Sequence, residues 1–146
     1  MQDKVLNGLA TLLQAARYDR LIIAGGPGVG KTTLSAKLER DGLTIHGSDE
    51  IRDLGWSDSS LKASFWFDAP GPWLCEGVAM PRAIRKWIGR NAEGKPADAI
   101  LWLAHPVEER SRGQHVMALG CATVWAEIRP ELAKRGVTLL EADESK

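Results

Sequence analysis

Residues 25–32 read Gly-Gly-Pro-Gly-Val-Gly-Lys-Thr, a full match to the pattern Gly-x-x-x-x-Gly-Lys-[Ser/Thr]. Glycines in such a run carry no β-carbon, so successive backbone N–H groups can curl around a phosphate. A helix starting just after the run would turn its positive end toward the same anion. Gly26, Pro27, Gly28, Val29, Gly30, Lys31, Thr32 and Thr33 are therefore the candidates to hold ATP. Lys31 would reach the β- and γ-phosphates, and the Thr32 hydroxyl would ligate the Mg2+ ion that bridges them.

That chemistry needs a strand before the glycines and a helix after them. Leu21-Ile22-Ile23-Ala24 is a short apolar run with β-branched residues, as in a buried strand. From Lys31 to Arg40, Leu34 and Leu38 recur at helical spacing, and Asp41-Gly42 supplies a stop. The same grammar then repeats. Leu43 to His46 reads as a short strand, Ser48-Asp49 can cap a helix through Ile51 and Leu54, and Ser57 to Ser60 can open another through Phe67. After the breaker Pro70-Gly71-Pro72, Trp73-Leu74-Cys75 reads as a third strand that delivers Glu76-Gly77 at its end. Pro81 can start a helix with Ile84 and Ile88 inward. Ala99 to Leu103 is the clearest strand, helical patterns fill Val107 to Arg135, and Val137 to Leu140 forms a fifth strand after Gly136. Upstream, Leu6, Leu9, Leu12, Leu13 and Ala16 recur at helical intervals between Val5 and Tyr18, which predicts an amphipathic N-terminal helix (1–18) packed on the core.

Alternating strands and helices imply right-handed crossovers and a parallel sheet covered on both faces. The expectation is an α/β, three-layer sandwich with a five-stranded parallel sheet, in one domain over residues 1–146. Ligands of such sheets sit beyond the carboxyl ends of the strands, where Gly25, Asp49, Glu76 and His105 fall.

Composition narrows the classes. The chain has 146 residues, with Lys+Arg 19 against Asp+Glu 19, so no overall basic field favours a protein that coats DNA. Cys75 and Cys121 make no metal or disulfide framework, and His46, His105 and His115 have no metal-ligand spacing. Neither a secretory leader nor an apolar run of membrane-spanning length is present, and a cytoplasmic enzyme is expected.

With strand, glycine loop and helix in that order, the chain resembles the P-loop kinases of the nucleoside, nucleotide and polynucleotide kinase type. The resemblance implies a P-loop NTPase core with a short lid, and it extends to three further segments. Ile45-His46-Gly47-Ser48-Asp49-Glu50 is similar to the segment in which those kinases set an acid beside the acceptor hydroxyl, which would make Asp49 the base, with Glu50 a solvated neighbour. Asp49 read only as a helix cap is the alternative. Glu76 stands at the Walker B place and would hold Mg2+ with Thr32, directly or through water. Val78-Ala79-Met80-Pro81-Arg82 looks like the adenylate kinase stretch whose arginine meets a substrate phosphate, which makes Arg82 a candidate beside the plain reading of a surface arginine. Glu108 to Gln114 falls where these kinases carry lid arginines; Arg112, then Arg110, would close over the transferring group, unless Glu108 and Glu109 merely pair with them on an exposed helix.

Trp56, Phe65, Trp66 and Trp73 are close in sequence on the acceptor side of this scheme, and Trp56 and Trp66 are candidates to stack a base, against core packing. Trp102 and Trp125 read as core. Between Met80 and Lys95, Arg82, Arg85, Lys86, Arg90 and Lys95 oppose only Glu93, either as a solvated helix face or as a site for a phosphate-bearing partner. The expected activity is ATP- and Mg2+-dependent transfer of the γ-phosphoryl to a hydroxyl of a nucleoside, nucleotide or nucleic acid. Some phage kinases of this resemblance act on a DNA end or on a hydroxymethylated base in DNA. The rival is a P-loop ATPase acting as a nucleotide-dependent switch without an acceptor.

Overall fold

The computed structural model describes residues 5–6, 15–26, 35–36, 38–47, 50–51, 53–104 and 109–142. Pro27 to Leu34, Asp49 and His105 lie outside the described residues. Six strands, β1 (Val5–Leu6), β2 (Arg20–Gly25), β3 (Thr44–His46), β4 (Trp73–Gly77), β5 (Ala99–Leu103) and β6 (Thr138–Ala142), form one sheet in the order β1-β6-β5-β2-β4-β3. Every pairing is parallel. Three helices are described: α1 (Trp56–Trp66), α2 (Met80–Arg90) and α3 (Arg112–Lys134).

β2 is central, with Ile22 facing Cys75 of β4 on one side and Ile100 of β5 on the other. From β2 the chain travels to the β3 edge, and each later step, β3 to β4 to β5 to β6, moves the opposite way. Right-handed crossovers then put the first connection on one face and the three later helices on the other. The packing follows that rule. Ile22, Ala24, Cys75, Ile100 and Trp102 pack with Ala63 of α1, Ile84 of α2 and Val124 of α3. On the opposite face, Leu21, Ile23, Leu74 and Leu101 pack with Ala15 and Leu38. The period-2 alternation of apolar residues therefore supplies both faces, and each fully buried Ile or Leu contributes roughly 1.5–3 kcal/mol.

Local sequence explains the helix limits. α2 has Pro81 in its first turn, where its missing N–H costs no hydrogen bond. α3 starts with a capping box: Ser111 Oγ accepts the Gln114 N–H at 3.2 Å, and Gln114 Oε1 accepts the Ser111 N–H at 3.0 Å. It ends before Gly136, whose φ of 88° suits a residue without a β-carbon. No described helix is long and apolar enough to cross a membrane.

Two expectations need correction. Val5 and Leu6 are not helical; they form an edge strand paired with Glu141 and Ala142. Among the described residues from Glu50 to Gly55, Glu50 closes a 3-10 turn and Ile51, Asp53 and Leu54 lie in turns and a bend, with the Leu54 N–H donating to the Ile51 carbonyl at 3.1 Å; neither Ile51 nor Leu54 is α-helical. The first described α-helix after β3 begins at Trp56, after Gly55.

Candidate functional site

The reversal of direction at β2 opens a crevice outside the carboxyl ends of β2, β4 and β5. Gly26, the second residue of the glycine run, lies there directly after β2. The space its β-carbon would fill is occupied by α3: Ala118 Cβ lies 2.8 Å and the Ala118 backbone 3.0 Å from that point. Arg110 Nη2 is also 3.0 Å from it. The capping box explains why, because it starts the helix at Arg112 and leaves Arg110 in the preceding segment, from which its guanidinium reaches Gly26. Arg112 occupies the exposed first helical position. Arg110 is thus the arginine brought beside Gly26.

Glu76 sits one residue from the end of β4, level with Ile23 of β2, and is only 5% exposed. A carboxylate buried this deeply at the carboxyl end of the sheet is a donor of the right chemistry for Mg2+. Its Oε2 lies 2.5 Å from where Gly47 would carry a β-carbon, so the glycine after β3 makes room for the acid. Glu50 closes the turn that follows. Its Oε2 accepts the Gly47 N–H at 3.2 Å, and the same carboxylate meets His46 Nδ1 at 3.0 and 3.1 Å. Glu50 is exposed, as expected of a solvated neighbour, and is hydrogen-bonded at the same time. Burial pushes the Cys75 thiol pKa well up, and the charges of Glu50 and Glu76 add to the rise, so both acids act on this point of the sheet. Cys121 of α3 donates its thiol to the Val78 carbonyl at 3.0 Å, tying the helix to the chain leaving β4.

Beside this crevice a cavity of about 450 Å³ is lined by Ile51, Leu54, Trp56, Val78, Ala79 and Met117, among others. That volume is in the range of small-molecule sites, and its walls are apolar. Trp56 is 42% exposed and Leu54 41%. The Arg82 guanidinium lies 4.5 Å over the Trp56 ring, and Arg82 Nη1 is buried with no hydrogen-bond partner among the described residues. A buried guanidinium nitrogen without an acceptor is costly, and an anionic group on a ligand would offset that cost.

The expected aromatic cluster does not form as one wall. Trp66 is 8% exposed and stacks on His46, with ring centroids 4.7 Å apart. Trp73 opens β4 at the amino edge of the sheet, buried against Phe67, with Nε1–H donating to the Ala69 carbonyl at 2.8 Å. Phe65 lies on the exposed side of α1 under Arg90. Only Trp56 of the four lines the cavity. The basic stretch also divides. Arg85 pairs with Glu127 at 3.1 Å, and Arg90 binds Asp68 and Ser64, while Arg82 alone of the three reaches the cavity wall. Trp102 and Trp125 stack in the core as expected, with centroids 5.1 Å apart.

Sequence reasoning missed Met117, Ala118 and Gly47. The signal at Ala118 to Cys121 was a set of small residues in a long helix, of which Gly120 lets Arg82 Nη2 approach to 3.0 Å from its β-carbon position. No protein-family model matches the chain, and no curated protein and no solved structure matches it either.

Proposed function

We propose that this chain is a P-loop kinase: an ATP- and Mg2+-dependent phosphotransferase that moves the γ-phosphoryl to a hydroxyl of a nucleoside, nucleotide or nucleic acid. The observation that supports it most is a juxtaposition. The full glycine motif follows the central strand β2 in sequence, the buried Glu76 stands one residue from the end of the adjoining β4, and an apolar cavity lined by Trp56, over which Arg82 lies, opens beside them. Donor, metal and acceptor would thus meet at one end of one sheet.

Lys31 and the loop amides would bind and orient the triphosphate, and Thr32 with Glu76 would hold a magnesium ion, which would neutralise phosphate charge there. The acceptor ring lies against Trp56 in the cavity. Its hydroxyl gives its proton to the Asp49 carboxylate as its oxygen forms a bond to the γ-phosphorus and the bond to the bridging β–γ oxygen breaks, leaving ADP. Arg110 offsets the charge spread over the equatorial oxygens. The orphaned Arg82 Nη1 favours an acceptor that itself carries phosphate. The test is Asp49→Asn. It is expected to retain ATP binding and to lose transfer by at least ~100-fold, the lower range for a positioned acid or base. Unchanged transfer would make Asp49 a helix cap and remove it from the chemistry.

A further inference from the structure

Gly47 stands between two carboxylates. On one side its N–H donates to Glu50 Oε2 at 3.2 Å; on the other, Glu76 Oε2 occupies the space a β-carbon would need. The Glu50 carboxylate is held in turn by His46 Nδ1, and the His46 ring by the face of Trp66, 4.7 Å away and within 11° of parallel. Trp66 is fixed in the core on α1. A continuous line of contacts therefore runs from the core through Trp66, His46, Glu50 and Gly47 to Glu76. Resting on the kinase reading of Glu76, we propose that Glu50 is a positioning residue. It pins the Gly47 peptide, and that peptide forms the wall against which the Glu76 carboxylate is aimed.

Two carboxylates flanking one glycine carry like charges, which repel each other. Freed from Gly47, Glu76 would lose its wall and could turn away from Glu50. Groups that orient a metal-binding carboxylate in this way matter to the bound ion, and their loss typically costs 10- to 100-fold in metal affinity. Neither bond needs Glu50 to touch substrate. Its effect should therefore appear in magnesium affinity, with nucleotide binding and the fold left intact.

The experiment measures Mn2+ binding to the full-length protein with a saturating non-hydrolysable ATP analogue, by electron paramagnetic resonance, together with the Mg2+ concentration for half-maximal turnover. Glu50→Ala and Glu50→Asp are expected to weaken Mn2+ binding at least ~10-fold and to raise the Mg2+ requirement in step. Asp keeps the charge but is too short to reach Gly47. Glu50→Gln keeps an oxygen for the Gly47 N–H and is expected to stay within about threefold of the parent. Thermal midpoints of all three variants check folding. Parent-like Mn2+ binding in both Glu50→Ala and Glu50→Asp would overturn the proposal and leave the kinase reading standing. A parent protein that binds neither analogue nor Mn2+ would overturn both.

Discussion

The β-carbon of Ala118 lies 2.8 Å from the point at which Gly26 would carry its own. Helix α3 therefore rests directly on the second residue of the glycine run, and neither partner can grow. Met117, one residue earlier, lines the cavity, and Cys121, one turn later, binds the Val78 carbonyl. A single turn of α3 thus touches the ends of β2 and β4 and the wall of the cavity.

Gly26→Ala forces a methyl group into the Ala118 backbone. Overpacking of this kind costs about 1–3 kcal/mol, readable from urea denaturation, and nucleotide binding should fall by at least ~10-fold. Adding Ala118→Gly should restore part of both losses. An undiminished denaturation midpoint for Gly26→Ala would show that α3 does not bear on the loop.

Arg110 and Arg112 should separate. Arg110→Ala, removing the guanidinium beside Gly26, is expected to lower kcat by 10-fold or more with little change in stability, whereas Arg112→Ala, at an exposed helix start, should stay within about threefold. Equal losses would return both arginines to a shared role.

Trp56→Ala removes the aromatic wall of the cavity and the surface on which Arg82 lies. Stacking of a base on an aromatic side chain is worth about 1–3 kcal/mol, so the acceptor KM should rise roughly 5- to 150-fold while ATP affinity holds. Trp56→Phe should recover most of it. A change in ATP affinity alone would assign the cavity to the donor.

Much of the fold was legible because the signals are local. Ala99 to Leu103 is a continuous apolar run bounded by breakers, and it is β5. Val5–Leu6 was not legible, since its two residues share a helical spacing with Leu9 and Leu12, and only pairing with Glu141 and Ala142 at the far end of the chain makes them a strand. The aromatic residues failed for a geometric reason. Trp66 and Trp73 are neighbours in sequence, but Trp73 stands at the amino end of β4, roughly 13 Å of strand away from Gly77 at about 3.3 Å per residue. Arg85 and Arg90 looked free because their partners, Glu127 and Asp68, belong to other elements. The role of Glu50 was hidden likewise, because it depends on the register that sets His46 beside Cys75 and brings Gly47 against Glu76.

Cys75 predicts a pH dependence. Its thiol pKa is raised in the folded state by burial first and by Glu50 and Glu76 second, so above the ordinary thiol value of about 8.5 the unfolded chain gives up a proton that the folded one keeps. Fewer protons on the unfolded chain mean that stability falls as pH rises through this range. Urea unfolding between pH 8 and 10.5 should show that decline, and Cys75→Ala should make it shallower. An identical slope in the variant would show that the thiol stays protonated in both states or in neither.

The central claim is that the γ-phosphoryl ends on a hydroxyl. Incubation with γ-labelled ATP and Mg2+ against nucleosides, nucleotides, DNA ends and hydroxymethylated DNA measures this directly. The account predicts label in an ester of at least one of these acceptors, formed faster than free phosphate. Label appearing only as free phosphate with every acceptor would contradict it and identify a nucleotide-dependent switch instead.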